Sequence, residues 1–479
     1  MTPRTRLVVA AAVSAAVVAG GVTMERRIGA APRHPSAAGP GVSGAWYCPH
    51  GGGQGWRVWI VVANPTEVPS DVILTSRTGG GPPGSTASTV APGTHAYVEV
   101  PAPEMASATV VEFFGSAVAA GMVTARPDGE GGVGAEPCAD QPATEWFVSE
   151  ASTLRGQDAT VVIHNPFGSE AVIDVLLLGE GGPIGHGRLR GLVLGPGQVK
   201  AVSVGRFALG EPGVAAEVVA HLGRVVVGGV TVSPAGVRTV VGTPAPARSW
   251  ILPGTGEPAS GRLVVSTAGD EAAFRADALG QAGQTPLVDL ESVPGGSSAA
   301  FDLAREGGGV LVQGEGAAPL LAGRLLVPPA PEPAPTSRRE RRGGGGPRGG
   351  GAQSGGGRDR REEPQEPPEP EPGDLAATGG APAGAARWVV LPATPPEGGP
   401  AALLLQNPGG GPAEVTVSLL GGQEARPEVI EVPAGAFAHL ELPSTPVAVL
   451  VESAGGLVVP AQVSLDRRTY AVAVGVPVG

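Results

Sequence analysis

Two cysteines, Cys48 and Cys138, and seven histidines, at 34, 50, 95, 164, 186, 221 and 439, are the side chains of this 479-residue chain best suited to metal binding, redox or nucleophilic chemistry. A metal site using Cys48, His50 and Cys138 lacks an obvious fourth ligand and the close cysteine spacing of zinc sites. The expected reading is instead a Cys48–Cys138 disulfide that closes the segment between them, as for a chain that meets an oxidising compartment. A loop of that size stabilises by about 4–5 kcal/mol in the chain-entropy account. The histidines form no His-Glu-x-x-His pair, and the chain has neither a Gly-x-Ser-x-Gly elbow nor a Walker loop. Gly129-Glu130-Gly131-Gly132-Val133-Gly134 matches Gly-x-Gly-x-x-Gly, yet Ala135-Glu136-Pro137-Cys138 follows where a helix must begin, so the match is a loop. Leu252-Pro253-Gly254-Thr255-Gly256 matches a wall-sorting signal without the hydrophobic tail and basic end that such a signal needs just downstream. No cofactor and no catalytic residue is expected.

The elements that carry these residues recur. Trp46, Trp146, Trp250 and Trp388 lie 18, 19, 17 and 19 residues before Asn64, Asn165, Thr267 and Asn407. Each Asn is followed by proline (Pro65, Pro166, Pro408), whereas the third copy reads Ser266-Thr267-Ala268. Proline cannot donate to a ladder, and Asn bonds its own backbone two residues on, so Asn-Pro ends a strand and starts a turn. In residues 401–419 the apolar run before Asn407-Pro408 and the alternation of Val415, Val417 and Leu419 after it read as a β-hairpin. A later turn places a proline at 92, 196, 294 and 433. Seven short strands in about 100 residues is the pattern of an immunoglobulin-like sandwich. A four-bladed propeller gives four repeats too, but its blades need only about 40–50 residues each.

The expected fold class is therefore all-β: tandem immunoglobulin-like sandwiches at 45–143, 144–247, 248–328 (degenerate) and 387–479. Gly 79 and Pro 51 with 42% hydrophobic residues suit short Val-rich strands punctuated by turns. Residues 7–23 are an uncharged apolar run behind Arg4 and Arg6, read as a retained signal-anchor with 1–6 inside and a flexible stalk at 24–44; cleavage and secretion is the alternative. Residues 329–386 carry almost no large apolar side chain and read as a disordered linker. The net charge of −12 argues against a nucleic-acid partner.

Recurrence of the four tryptophans in register assigns them to cores, because packing must repeat in every unit and binding need not. Trp56 and Trp59 fall outside that register and are the candidate surface aromatics for stacking on a sugar. The Trp46-Tyr47-Cys48-Pro49 start, the Asn-Pro turns and the N-terminal anchor resemble an actinobacterial family of secreted or membrane-anchored proteins known only as a domain of unknown function. That resemblance implies an envelope location and supplies no activity. The expected function is a non-enzymatic envelope scaffold or binding protein, with membrane, other envelope proteins and cell-wall polymer as partners. A wall glycan or polymer binder is the first alternative, and a hydrolase with a site assembled from scattered residues the second.

Overall fold

The computed structural model describes residues 42–79, 81–126, 132–233, 236–327, 376–378, 380–421, 427–466 and 469–478. The expected cytoplasmic tail, the signal-anchor and most of the stalk and linker lie outside them. Among the described residues no helix is long and apolar enough to cross a membrane.

Val-rich segments that alternate buried and exposed positions pair into four units. In unit 1, β1 (Val42–Cys48), β2 (Arg57–Asn64), β3 (Ser70–Thr78), β4 (Gly84–Val90), β5 (Thr94–Val100), β6 (Ser107–Gly115), β7 (Ala119–Ala125) and β8 (Val133–Pro137) form sheets ordered β1-β6-β3-β4 and β5-β2-β7-β8. Unit 2 contains β9 (Glu145–Ala151), β10 (Asp158–His164), β11 (Ala171–Gly179), β12 (Gly182–Ile184), β13 (Leu192–Leu194), β14 (Val199–Ser203), β15 (Val214–Leu222), β16 (Val226–Ser233) and β17 (Gly236–Val241). Its sheets are β12-β11-β15-β9, with β13 also on β11, and β14-β10-β16-β17. In unit 3, β18 (Ser249–Leu252), β19 (Ala259–Thr267), β20 (Ala272–Gly280), β21 (Gly283–Val293), β22 (Ser297–Glu306), β23 (Val310–Glu315), β24 (Leu321–Val327) and β25 (Ala376–Thr378) give β18-β23-β20-β21 and β22-β19-β24-β25. Unit 4 has β26 (Arg387–Val390), β27 (Ala401–Asn407), β28 (Ala413–Leu420), β29 (Glu428–Val432), β30 (Ala436–Leu442), β31 (Ala448–Ala454), β32 (Val459–Asp466), β33 (Thr469–Val474) and β34 (Val476–Pro477), ordered β29-β28-β31-β26-β34 and β30-β27-β32-β33.

Three expectations change. The stretch 401–419 is not a hairpin: β27 pairs β30 and β32 in one sheet, and β28 pairs β29 and β31 in the other. Asn-Pro marks a corner between sheets, because both flanking strands bury their apolar side chains in the same sandwich core. The strand order also departs from the immunoglobulin arrangement, in which the first strand lies beside the second. Here the first lies beside the sixth, and an eighth strand extends the second sheet. The first strand thereby keeps one edge open for the segment leaving the eighth, as in the bridges Tyr47–Ala139, Phe147–Thr243 and Ile251–Ala381 and in the β26–β34 pair. Finally, Ala376–Thr378, inside the expected linker, is β25, the edge strand beside β24. The long Arg/Pro/Glu segment therefore interrupts unit 3 between its seventh and eighth strands and does not separate units 3 and 4.

The units close on one another. β8 lies against β17 and β33, and β25 against the same two, so the four eighth strands meet at the centre. β8 and β17 start side by side in parallel through Gly132 and Gly236. One apolar cluster joins Val58, Ile60, Val111 and Phe113 of unit 1 to Leu391, Ala448 and Ala471 of unit 4. Others join units 1 and 2 (Ala108 with Val162 and Val230), 2 and 3 (Val161 with Val264 and Leu325) and 3 and 4 (Leu311 with Leu403). A closed ring results, propeller-like in its closure, with a two-sheet sandwich in place of each blade.

Candidate functional site

Each recurrent residue has a buried structural task. The Trp46, Trp146 and Trp250 indoles donate to the carbonyl just before the seventh strand of their own unit, Val118, Val225 and Leu320, at 2.8, 2.7 and 2.8 Å. Each bond ties the first strand of one sheet to the other sheet. Trp388 donates instead to Ala385 at 3.0 Å. Asn407 accepts the Gly409 N–H at 2.9 Å and donates to the Gly411 and Val432 carbonyls at 2.8 and 3.0 Å, which links its own corner to the turn between the fourth and fifth strands. Asn64 and Asn165 repeat the pattern with Thr66, Val68 and Val90, and with Phe167, Ser169 and Leu194. In unit 3 the Thr267 hydroxyl keeps one of these bridges, donating to Pro294 at 2.8 Å.

Cys48 and Cys138 form a disulfide across 90 residues, with both side chains buried. It reinforces the place where Tyr47 and Ala139 exchange backbone hydrogen bonds at 2.8 and 2.9 Å. A metal site with His50 is thereby ruled out, since both sulfurs are bonded to each other. The surface-aromatic expectation fails for Trp59, which is only 3% exposed and is capped by the Arg57 guanidinium 4.4 Å from its ring centroid, while Trp56 is half-buried against the cluster of Ala108, Val162 and Val230.

What the spacing of the repeats did not reveal is a set of seam residues. Gly121, Gly228 and Gly323 occupy one position of the seventh strand and face the preceding unit around the ring. A Cβ at Gly228 would lie 2.8 Å from Pro49 Cγ, one at Gly121 would lie 2.6 Å from Leu391 Cδ1, and one at Gly323 would meet the Glu150 side chain. The contact between units 4 and 1 thus repeats those within the chain. Arg57–Glu397 at 2.8 Å, the Tyr97 hydroxyl donating to Thr394 O at 2.8 Å and His95 Nδ1 with Leu420 O at 3.2 Å complete that closing seam. The residue before each Asn also faces a seam: Gln406 approaches Gly309, and His164 lies in the field of Arg77 and His50. Variation at this position (Ala63, His164, Ser266, Gln406) was the one sequence trace of the seams.

Buried titratable groups gather at those seams. His50 contacts Gly51 O through Nδ1 at 2.6 Å and the Thr109 hydroxyl through Nε2 at 3.0 Å, a set that one neutral tautomer satisfies. Burial lowers its pKa to about 4. Burial, then the positive field of Arg77 and His50, lowers His164 to about 3, and neither of its ring nitrogens has a hydrogen-bond partner. Burial raises Glu150 to about 7 and pushes Glu136 well above the carboxylate range, with Glu150 adding repulsion. Arg238 reaches the Glu150 carbonyl at 2.9 Å and the Thr231 hydroxyl at 3.1 Å beside a cavity lined also by Thr160 and Gly229. That cavity holds about one water. Among the described residues no group of three or more His, Cys, Asp or Glu is placed to hold a metal ion. Enclosed between sandwiches, these side chains can set the stability of the seams.

No curated protein matches this chain. Among solved structures, one described as "tetra-tandem repeat in extending region of large adhesion protein" aligns over 87% of this chain and 93% of its own at 9% identity, with a TM-score of 0.10. Residues 104–323 match the model of a family of unknown function (DUF5719), so over that span, from just before β6 into β24, the resemblance to a domain-of-unknown-function family is met.

Proposed function

We propose that this chain is a non-enzymatic scaffold or binding protein of the cell envelope, held by an N-terminal membrane anchor with its sandwiches outside. The observation that carries the reading is how the recurrent polar and aromatic residues are used: Trp, Asn and Thr267 all satisfy buried backbone groups, and the seam residues join the units. Such a ring is a rigid platform whose peripheral loops are free to differ from unit to unit, the usual division of labour between scaffold and recognition loops. A disulfide suits an oxidising exterior, and β24 and β25 pair in one sheet although the charged segment lies between them in the sequence. Fractionation of producing cells tests the location, with recovery in the membrane fraction expected and recovery solely in the cytosol contradicting it. Purified chain incubated with isolated envelope should be retained on it. Failure to bind any envelope component, together with turnover of an envelope glycan or peptide, would replace this reading with a hydrolase.

A further inference from the structure

Unit 2 carries two 3-10 turns, Gly187–Leu189 and Val204–Arg206, that have no counterpart among the described residues of the other units. The first replaces a continuous fourth strand; the second extends the loop after the fifth. The His186 and Phe207 rings meet across them, tilted by 57° with centroids 5.0 Å apart, so the turns form one surface. The loop after β9 joins it: Thr153 N donates to Glu211 O at 3.0 Å, Gly210 N donates to Thr153 O at 3.1 Å, and Glu211 N donates to the Thr153 hydroxyl at 3.0 Å.

These three tied segments present Arg155, Arg188 and Arg206, all exposed. None makes an ion pair or side-chain hydrogen bond among the described residues. Elsewhere Arg57, Arg262, Arg275 and Arg387 each meet a carboxylate. Two acids on neighbouring segments have other partners: Glu211 Oε2 accepts the Glu180 N–H at 3.3 Å, and Asp174 accepts from Gly191 N at 2.6 Å and contacts His221 at 3.0 Å. Beside the guanidiniums stand the tilted His186–Phe207 pair and Leu209, which at 84% is the most exposed large hydrophobic side chain described.

We propose that this surface of unit 2 binds an anionic glycan polymer, a proposal that rests on the envelope-binding reading above. Unpaired guanidiniums present planar, two-pronged donors to carboxylate, sulfate or phosphate groups, while an aromatic ring and an apolar side chain beside them cover sugar faces. Three separated cations on linked loops suit a repeating charge better than a single small anion. The chain's net charge of −12 opposes general attraction to polyanions, so retention requires a local patch.

The test is retention of the full chain on immobilised heparin, a carboxylated and sulfated glycan, with neutral dextran as control, followed by salt elution. Retention on heparin alone is expected. Arg155→Ala/Arg188→Ala/Arg206→Ala should weaken it at least tenfold and flatten its salt dependence, with an unchanged melting temperature because the three side chains are exposed. A second variant replaces Arg338, Arg339, Arg341 and Arg342 by Ala and should bind like the parent. Loss that follows the second variant and not the first, equal binding by the first variant, or equal retention on dextran overturns the proposal. If envelope still retains the triple variant undiminished, only this surface is refuted and the wider binding reading stands.

Discussion

His50 and His164 sit neutral in a seam between sandwiches, where a second positive charge has no solvent to screen it. Both have folded-state pKa values, about 4 and about 3, below the 6.5 of an exposed imidazole. Their contribution to stability is therefore complete above pH 6.5 and is lost as pH falls through the folded values, on the order of 3–5 kcal/mol each at the acid limit. Glu150 has the opposite sign. Its pKa of about 7 lies above the ordinary 4.5, so its contribution is complete below pH 4.5 and is lost as pH rises through 7. Two histidines outweigh Glu150 between about pH 4.5 and 6.5, so thermal melts from pH 3 to 9 should peak near about pH 6.5, and Glu150→Gln should weaken the alkaline limb, to which the raised Glu136 also contributes, while leaving the acid limb in place. A melt profile that does not change with Glu150→Gln would refute this assignment. At the corners, Asn407→Ala leaves buried carbonyls without a donor and should cost about 2–4 kcal/mol in urea unfolding. Asn407→Thr should cost less, because Thr267 already bridges the same turn in unit 3.

At the scale of elements, each seventh strand succeeds by carrying almost nothing at its seam position. A Cβ at Gly228 would approach Pro49 O and Val240 O, both at 2.9 Å, and backbone yields poorly. Gly228→Ala should therefore lose about 1–3 kcal/mol in denaturant midpoint analysis, whereas Gly410→Ala, with nothing within 4 Å, should change little. The hairpin between the seventh and eighth strands is short in units 2 and 4, with two residues between Ser233 and Gly236 and two between Asp466 and Thr469, while 48 residues separate Val327 from Ala376. Replacing residues 328–375 by a two-residue Asn-Gly turn should leave the melting temperature within a few degrees of the parent. A drop of more than about 10 °C, on the order of 2–5 kcal/mol, would mean that the insertion itself supports the fold.

For the whole molecule, the closing seam decides whether the chain is a ring or a string. Units 4 and 1 have no covalent connection at their contact, yet Leu391 meets Gly121 there within the largest apolar cluster. Leu391→Asp places an unpaired carboxylate in that contact and should open it, seen as a larger radius of gyration in small-angle scattering and faster amide exchange in β8 and β33. Unchanged scattering from a folded variant would refute the closed ring. The disulfide acts on the same scale, since it holds the first strand of unit 1 to the segment after β8. A thiol assay should find none free, and reduction should lower stability by about 4–5 kcal/mol, with strain subtracting from that figure.

Spacing alone exposed whatever depends on neighbours in the chain: strands of period two, the Trp-to-Asn ruler, the turn at Asn-Pro and the pairing of the only two cysteines. Even there the partner of each turn was hidden, because an Asn that bonds its own backbone looks the same in a hairpin and in a corner between sheets. It also could not place Trp56, which packs on a cluster drawn from Ala108, Val162 and Val230, or Trp59, which lies in the core of unit 1. The peripheral Arg155, Arg188 and Arg206 came to notice only when three loops were tied by the Thr153 and His186–Phe207 contacts. The sequence by itself determined that this protein is all-β, built in four related units and disulfide-linked. Only the tertiary structure decided which sheet each strand joins, that the units close into a ring, and which charges that closure buries, because those follow from contacts between residues tens to hundreds of positions apart.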